Sequence, residues 1–282
     1  MANFTLEDVK TLRERLGTGM VDTKNALVEA DGDIDKAVEI LRLKGAKGNA
    51  KRADRSTAEG LVAAVDNADG TATLIELACE TDFVAKGDKF VALADRVLAA
   101  AAAARADSVE AALAAPADPS TGSGQATVAD VINEEAAILG EKVELRRIRL
   151  VKGGEFSIYL HKTSKDLPPQ VGVVLGYAGD DAETARSVAQ HISFANPEFL
   201  AREDVPAESV EKERTIVEQI TREEGKPEAA LPKIIEGRLG AYFKQVALLE
   251  QPYAKDDKVS VGKVVADAGL TVSDFARFKV GA

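Results

Sequence analysis

Residue types that build reactive or cross-linked sites are scarce in this sequence. Its 282 residues include one cysteine, two histidines and no tryptophan. A single cysteine excludes an internal disulfide, which suits a reducing compartment. So few Cys and His residues do not supply a zinc site, and we expect no metal and no cofactor. Aromatic residues make up only 5%, so Ala, Val, Leu and Ile must fill the core.

Basic charge and long apolar runs are scarce as well. The 36 Lys and Arg residues are outnumbered by 47 Asp and Glu residues, and the net charge is -11. Because nucleic-acid binding needs clustered basic residues, we expect no direct contact with nucleic acid. No apolar run approaches the roughly 20 residues that span a membrane, and no secretory signal pattern is present. The sequence therefore predicts a soluble, cytoplasmic protein without membrane contacts.

Residues 1–45 are predicted to form a compact three-helix module. Apolar residues recur at helical spacing, and the breaks fall at the GTG of 17–19 and the Asp-Gly pair at 31–32. Gly45 is predicted to end the third helix. Composition favours Met20 as a core residue, whereas a contact on a partner surface is the alternative.

A basic segment follows and is predicted to be a linker at 46–59. Six Lys and Arg residues and only one Asp lie between positions 42 and 55. Such runs are usually solvated, and a docking site for an acidic partner is the alternative.

From residue 60 the pattern changes to strands and helices. Two apolar runs around an Asp-Gly turn, LVAAVD and TATLIELAC, predict a β-hairpin, and a helix follows. The same order recurs from residue 155, so we predict an α+β fold with two related subdomains, each an antiparallel sheet covered by helices. The stretch 115–127 is predicted to be a flexible connector. The predicted bounds are 60–140 for the first subdomain, and 141–205 with 250–282 for the second.

Residues 206–249 are predicted to interrupt the second subdomain. They contain two helical patterns separated by Gly225 and Pro227, and the apolar stripe on these helices is narrow. Such a stripe predicts an antiparallel coiled-coil hairpin that projects from the core.

Known catalytic motifs are missing from the sequence. It has neither a phosphate-binding GxxxxGK[ST] loop nor a GxGxxG turn after a strand. Cys79 is the only thiol, and its apolar strand pattern favours a buried, unreactive side chain over the nucleophile of a thiol enzyme. The sequence therefore predicts a protein that binds a large partner and is not an enzyme.

Two stretches resemble a known family. LRERLGTGMVDTKNAL at 12–27 and ELACETDFVAK at 76–86 are similar to the two signatures of the bacterial elongation factor Ts family. The resemblance implies a guanine-nucleotide exchange factor whose partner is the GTPase elongation factor Tu, in its GDP-bound and nucleotide-free forms. It also implies an N-terminal module like a ubiquitin-associated domain, a core of two related α+β subdomains and an inserted helical hairpin.

The resemblance further implies which residues contact the GTPase. In the family, one segment enters the GTPase near the magnesium and phosphate site and displaces Mg²⁺. The residues of this sequence that match it are Thr81, Asp82, Phe83 and Val84. Those on the docking face of the N-terminal module are Leu12, Met20 and Lys24. Those in the core are Leu139, Gly140 and His161.

Phe83 has a second interpretation from periodicity alone. Phe83, Phe90 and Val97 are seven residues apart, as on one buried helix stripe. Gly87 weakens a helix between the first two, and the family resemblance favours an exposed contact residue. A protein-binding module without exchange activity, which uses the three N-terminal helices, is the alternative function.

Overall fold

The computed structural model describes residues 3–118 and 126–282. Within these residues the chain forms eleven α-helices and eight β-strands, besides three short 3-10 turns. The helices are α1 (Leu6–Leu16), α2 (Met20–Glu29), α3 (Ile34–Arg52), α4 (Asp82–Ala85), α5 (Asp88–Ala103), α6 (Val109–Ala114), α7 (Val128–Leu139), α8 (Ala182–Ala195), α9 (Ala207–Glu223), α10 (Leu231–Val246) and α11 (Val261–Asp267). The strands are β1 (Glu59–Asp66), β2 (Thr71–Cys79), β3 (Val143–Lys152), β4 (Glu155–His161), β5 (Val171–Ala178), β6 (Pro252–Tyr253), β7 (Asp256–Ser260) and β8 (Thr271–Lys279). No helix in this described part is long and apolar enough to span a membrane.

The three helices predicted at the N-terminus are present and pack together. Thr5 begins α1 with a reciprocal cap: its hydroxyl accepts from the Asp8 N–H at 3.1 Å, and the Asp8 carboxylate accepts from the Thr5 N–H at 2.7 Å. The inward faces of the three helices share an apolar core. It consists of Val9, Leu12, Ala26, Leu27, Ala30, Ala37, Val38 and Leu41.

Helix α3 continues past the predicted stop at Gly45 and ends at Arg52. The prediction that Gly45 ends the helix is therefore wrong, and the first part of the predicted linker is helical. The reason is close packing on α7, because a Cβ built on Gly45 would lie 3.0 Å from the Cβ of Ala137. The Asn49 side chain also donates to the Asn133 carbonyl of α7 at 2.7 Å. Glycine here allows two helices to approach each other.

The basic residues of this segment take part in the packed structure. Three of them form ion pairs that join α3 and the segment after it to three other elements. Ion pairs near the surface each contribute little stability, but these connect separate parts of the chain. Three pairs lie between 2.9 and 3.2 Å: Arg42 with Glu134, Lys44 with Glu29, and Arg55 with Glu80. Docking of an acidic partner on the rest of the segment stays a prediction.

Two three-stranded antiparallel sheets form the core and confirm the predicted α+β class. Their strand orders are β1-β2-β3 and β4-β5-β8, so in each sheet a hairpin supplies the central strand and a later strand completes the sheet. The sheets pack face to face through Ala72, Leu74, Val151, Val174 and Ala276. Helices α5, α6 and α7 cover the outer face of the first sheet, and α8 and α11 cover that of the second.

Strand β3 belongs to the first sheet, where it pairs with β2. The predicted boundary between residues 140 and 141 is therefore wrong, because it separates β3 from the sheet that β3 completes. The alternating pattern of β3 predicts a strand but does not indicate which of the two sheets the strand joins.

The predicted connector at 115–127 lies partly outside the described residues, which omit 119–125. Its described ends pair with each other. The Ala117 N–H donates to the Ala126 carbonyl at 3.0 Å, and the Val128 N–H donates to the Ala115 carbonyl at 2.9 Å.

Two glycines in β5 allow the sheets to approach closely. A Cβ built on Gly172 would lie 3.0 Å from the Leu74 Cδ1 atom of the first sheet. A Cβ built on Gly176 would lie 2.5 Å from the Lys152 carbonyl oxygen. A side chain at position 176 therefore requires movement of the backbone. The absence of side chains at these two positions therefore permits the observed approach of the sheets.

Glu76 of β2 is a fully buried carboxylate between the sheets. It pairs with two consecutive residues, Arg147 and Arg146, the latter at 3.5 Å. Consecutive strand residues normally point to opposite faces, but a β-bulge in β3 turns both arginines towards Glu76. Arg147 also donates to the Lys279 carbonyl at 2.7 Å, and the Gly281 N–H donates to Glu76 at 3.3 Å. The carboxylate thus joins the first sheet to the end of β8.

Helices α9 and α10 pack against each other within the predicted 206–249 insertion. Their shared apolar cluster includes Val217, Ile235, Leu239 and Val246. Ile220, another apolar residue of α9, lies outside this cluster and is 43% exposed. The coiled-coil character of the pair stays a prediction.

His191 of α8 holds the segment that follows α10. Its Nε2 lies 2.9 Å from the Gln251 Oε1 atom, and its Nδ1 accepts from the Ala254 N–H at 3.2 Å. Because Nδ1 accepts, the proton is on Nε2 and the buried imidazole is neutral. Burial lowers the pKa of His191, although the hydrogen bond to Gln251 opposes this effect.

Replacing Gly176 by alanine should destabilise the protein by about 1–3 kcal/mol, because the added Cβ forces the sheets apart. The matched control is Gly240→Ala in α10, where a Cβ meets nothing within 4 Å and should stabilise the helix by up to about 1 kcal/mol. Urea unfolding measures both values. Equal effects of the two substitutions would contradict the role assigned to Gly176.

Mild acid should destabilise the protein through His191. The unfolded state binds a proton near the ordinary pKa of 6.5, whereas the folded state binds it only at lower pH. The free energy of unfolding should therefore fall from about pH 6.5 to pH 5, by at most about 1.4 kcal/mol per pH unit. Urea unfolding across this range measures the slope, which His191→Gln should flatten; an equally steep slope in the variant would rule out His191 as its source.

Candidate functional site

The turn after β2 presents Phe83 to solvent. Strand β2 ends at Cys79, and Thr81 begins the short helix α4 with its hydroxyl accepting from the Val84 N–H at 3.4 Å. Val84 and Ala85 point into the core of the first sheet, while Phe83 is 74% exposed. One capped turn of helix therefore sends neighbouring apolar residues to opposite sides.

The interpretation of Phe83 as a core residue is wrong. Gly87 is the N-cap of α5, so Phe83 and Phe90 lie on two different helices. Phe90 is fully buried, in contrast to Phe83. Their seven-residue spacing carries no information because helical phase is not kept across Gly87.

Charged side chains flank the exposed ring of Phe83. The Lys86 Nζ atom lies 3.7 Å from the Asp82 carboxylate and 5.5 Å from the centre of the Phe83 ring. The turn thus presents an acid, an aromatic ring and a base together. Val84 is only 9% exposed and holds the turn on the core; its contact with the partner stays a prediction.

Two carboxylates fix this turn on the segment that follows α7. Glu141 Oε2 accepts from the N–H groups of Glu80 and Thr81 at 3.1 and 3.0 Å, and its Oε1 accepts from the Thr81 hydroxyl at 2.6 Å. In return, Glu80 accepts from the Lys142 N–H at 2.6 Å and pairs with Arg55 at 3.2 Å. The hydrogen bond from Lys142, together with Arg55, lowers the pKa of Glu80. We call these five residues the Glu80–Glu141 cluster.

Leu139 and Gly140 come directly before this cluster. Gly140 ends α7 in the left-handed conformation, with φ 75°, and so turns the chain towards Thr81. Leu139 is partly buried against the first core. His161 lies elsewhere, at the end of β4 in the second sheet, where its Nδ1 is 3.1 Å from the Tyr159 hydroxyl.

The predicted docking residues of the N-terminal module differ in exposure. Met20 is 43% exposed on α2, and Lys24 is exposed as well. The interpretation of Met20 as a core residue is therefore wrong, because α2 turns Ala26 inward instead. Leu12 is 2% exposed and belongs to the core of the module; its contact with the partner stays a prediction. Val21, 69% exposed, adds an apolar side chain beside Met20.

Cys79 is not placed for nucleophilic chemistry. Burial raises the pKa of its thiol to about 12, and its Sγ donates to the Thr81 carbonyl at 3.3 Å. The thiol is therefore protonated at neutral pH, which argues against the thiol-enzyme hypothesis. Among residues 3–118 and 126–282, no group of three or more His, Cys, Asp and Glu side chains could hold a metal ion.

Glu80, Glu141 and Val21 were not among the residues predicted from the sequence. An acidic residue directly after a helix-ending glycine was the available signal for Glu141, since such a residue lies at a turn. The exposure of Val21 also had a signal, because its spacing places it on the face of α2 opposite the buried Thr23, Ala26 and Leu27.

Comparison with known proteins agrees with this arrangement. A family model described as Elongation factor TS matches residues 80–282. Over 282 residues that cover both chains completely, the protein is 73% identical to Elongation factor Ts of Leifsonia xyli subsp. xyli (strain CTCB07) and 72% identical to that of Clavibacter sepedonicus. The corresponding protein of Micrococcus luteus is 55% identical over 285 residues, again with complete coverage. This chain therefore belongs to the elongation factor Ts family.

Proposed function

We propose that this translation elongation factor binds elongation factor Tu in its GDP-bound form and promotes the release of GDP. The observation that carries the proposal is Phe83, an apolar ring that is 74% exposed on a turn fixed to the core. An aromatic side chain of this kind is a typical anchor of a protein interface. Family membership supplies the identity of the partner.

Exchange in this mechanism follows from linked equilibria. A protein that binds the nucleotide-free GTPase more tightly than the GDP-bound GTPase must weaken GDP binding by the same factor. No covalent bond is made or broken by the exchange factor, so it is not an enzyme in the usual sense. The exchange factor requires only contacts that bind the nucleotide-free GTPase more tightly than the GDP-bound GTPase.

Phe83 and Asp82 are the residues proposed to make these contacts. Phe83 enters the nucleotide-binding domain near the Mg²⁺ and phosphate site of the GTPase, where a phenyl ring gains from burial and needs no hydrogen-bond partner. Displacement of the segment that orders Mg²⁺ leaves the phosphate charge unneutralised. GDP then dissociates faster. Asp82 adds negative charge beside the ring, and Thr81 caps the helix that carries both.

The N-terminal module supplies a second contact region in this proposal. Met20, Val21 and Lys24 lie along the exposed part of α2, and the module is held on the core by α3. We also propose that this module resembles a ubiquitin-associated domain. The protein acts in the cytoplasm with the translation machinery. Gly140 and Leu139 lie beside the Phe83 turn, and His161 provides a contact in the second sheet.

The proposal predicts faster release of GDP from elongation factor Tu. Purified GTPase loaded with fluorescent GDP is mixed with excess unlabelled GDP, with and without this protein, and the fluorescence decay gives the release rate. An unchanged rate would overturn the proposal. Binding of the GTPase without acceleration would instead favour a protein-binding module that lacks exchange activity.

Alanine substitution at two phenylalanines should separate function from stability. Phe83→Ala should reduce GDP release by at least about tenfold, since it removes the anchor, and should change the free energy of unfolding by less than about 0.5 kcal/mol. Phe90→Ala, the matched control in the core, should cost about 3–5 kcal/mol. Exchange assays and urea unfolding measure both effects; a large stability loss in Phe83→Ala would mean that the ring supports the fold.

A further inference from the structure

We infer that Glu141 is a positioning residue for the turn that carries Asp82 and Phe83. This inference rests on the proposed function. Glu141 holds the turn from outside it: one carboxylate accepts three hydrogen bonds from two consecutive residues, Glu80 and Thr81, directly before α4. Bonds to an ionised acceptor are stronger than neutral ones, so the three together define the direction of the chain at this point.

The need for this carboxylate follows from where β2 ends. Cys79 is the last residue of β2 that pairs with its neighbours, β1 and β3, so the next two N–H groups require other acceptors. Glu141 supplies one for both. The Thr81 hydroxyl then connects Glu141 to α4, because it donates to the carboxylate at 2.6 Å and accepts from the Val84 N–H at 3.4 Å.

Phe83 lies between the two positions that this chain of hydrogen bonds fixes. Thr81 is held on one side by Glu141, and Val84 is held on the other by the Thr81 hydroxyl and by burial in the core. The exposed ring is neighboured by the Lys86 Nζ atom, 5.5 Å from the ring centre, and is not packed into the core. The direction of the ring therefore depends on the backbone of the turn.

The opposite half of the Glu80–Glu141 cluster strengthens this attachment. Glu80 accepts from the Lys142 N–H at 2.6 Å, so each segment gives a carboxylate to the backbone of the other. Loss of Glu141 leaves this single return bond and the Arg55 pair at 3.2 Å. A turn held in fewer places populates the binding-competent arrangement less. The apparent affinity, and the rate of GDP release below saturation, then fall in proportion to the populated fraction.

Substitutions at Glu141 distinguish its carboxylate geometry from its charge. In Glu141→Gln, the amide oxygen can accept from both N–H groups while the amide NH₂ donates to the Thr81 hydroxyl, so three weaker bonds remain. In Glu141→Ala all three are lost. The control is Glu110→Gln in α6, an exposed carboxylate of the same half of the molecule.

Two measurements on the full chain test the inference. The first is hydrogen exchange of the amides of Glu80 and Thr81, which donate to Glu141 directly. We expect exchange at least about tenfold faster in Glu141→Ala, a smaller increase in Glu141→Gln and no change in Glu110→Gln. Amides of β2 serve as the internal reference, and their exchange should be unaltered because the sheet stays folded.

The second measurement is GDP release from elongation factor Tu over a range of concentrations of each variant. We expect the concentration that gives half-maximal release to rise about tenfold in Glu141→Ala and to recover largely in Glu141→Gln. Unchanged amide exchange in Glu141→Ala, or equal acceleration of all amides including those of β2, would overturn the positioning role. If the unsubstituted protein fails to accelerate GDP release, the proposed function falls, while amide exchange still decides whether Glu141 fixes the turn.

Discussion

Glu76 places a carboxylate in the interior, where water cannot solvate it, and Arg146 and Arg147 must therefore both reach it. An unpaired charge at such depth would cost several kcal/mol. The pairing requires a bulge in β3, and it requires β3 to lie beside β2. Arg147 also stacks over the Phe278 ring at 4.7 Å, so β8 is drawn into the same arrangement. Buried ion pairs contribute little net stability compared with apolar residues, but this one restricts how the two sheets can be combined.

The candidate site depends on the same strand. Glu76 fixes the middle of β2, and three residues later β2 ends at Cys79. The N–H groups beyond that end find their acceptor in Glu141, which directly follows Gly140 and α7. Because α7 also packs on α3, one helix connects the N-terminal module, the first sheet and the Phe83 turn. The exposed Phe83 ring therefore lies on a turn that is attached to well-packed elements.

Local signals predicted the elements well, whereas contacts between distant segments escaped prediction. The Asp-Gly turn and the alternating pattern were sufficient for the β1-β2 hairpin. Gly45 was misinterpreted because its reason lies in Ala137, a residue of another helix, and a glycine that ends a helix is indistinguishable in sequence from one that allows close packing. The sheet that β3 joins likewise depends on distant residues, because β3 pairs with β2 and its Arg147 pairs with Glu76. The family resemblance favoured an exposed Phe83 where periodicity favoured a buried one, and the ring is exposed. A matched position carries no information about burial, however, and Leu12 and Val84 are buried.

The partners of Glu76 come from far apart in the chain, and this affects the order in which the protein can be completed during synthesis. β2 and β3 emerge early, but the Lys279 carbonyl and the Gly281 N–H are made about two hundred residues after Glu76. Pairings of such large sequence separation form slowly. Until β8 arrives, the second sheet lacks one of its three strands, and the Glu76 carboxylate lacks the hydrogen bond from the Gly281 N–H. The nascent chain can therefore complete the hydrogen bonds of this buried carboxylate only after β8 and the residues directly following it have been made.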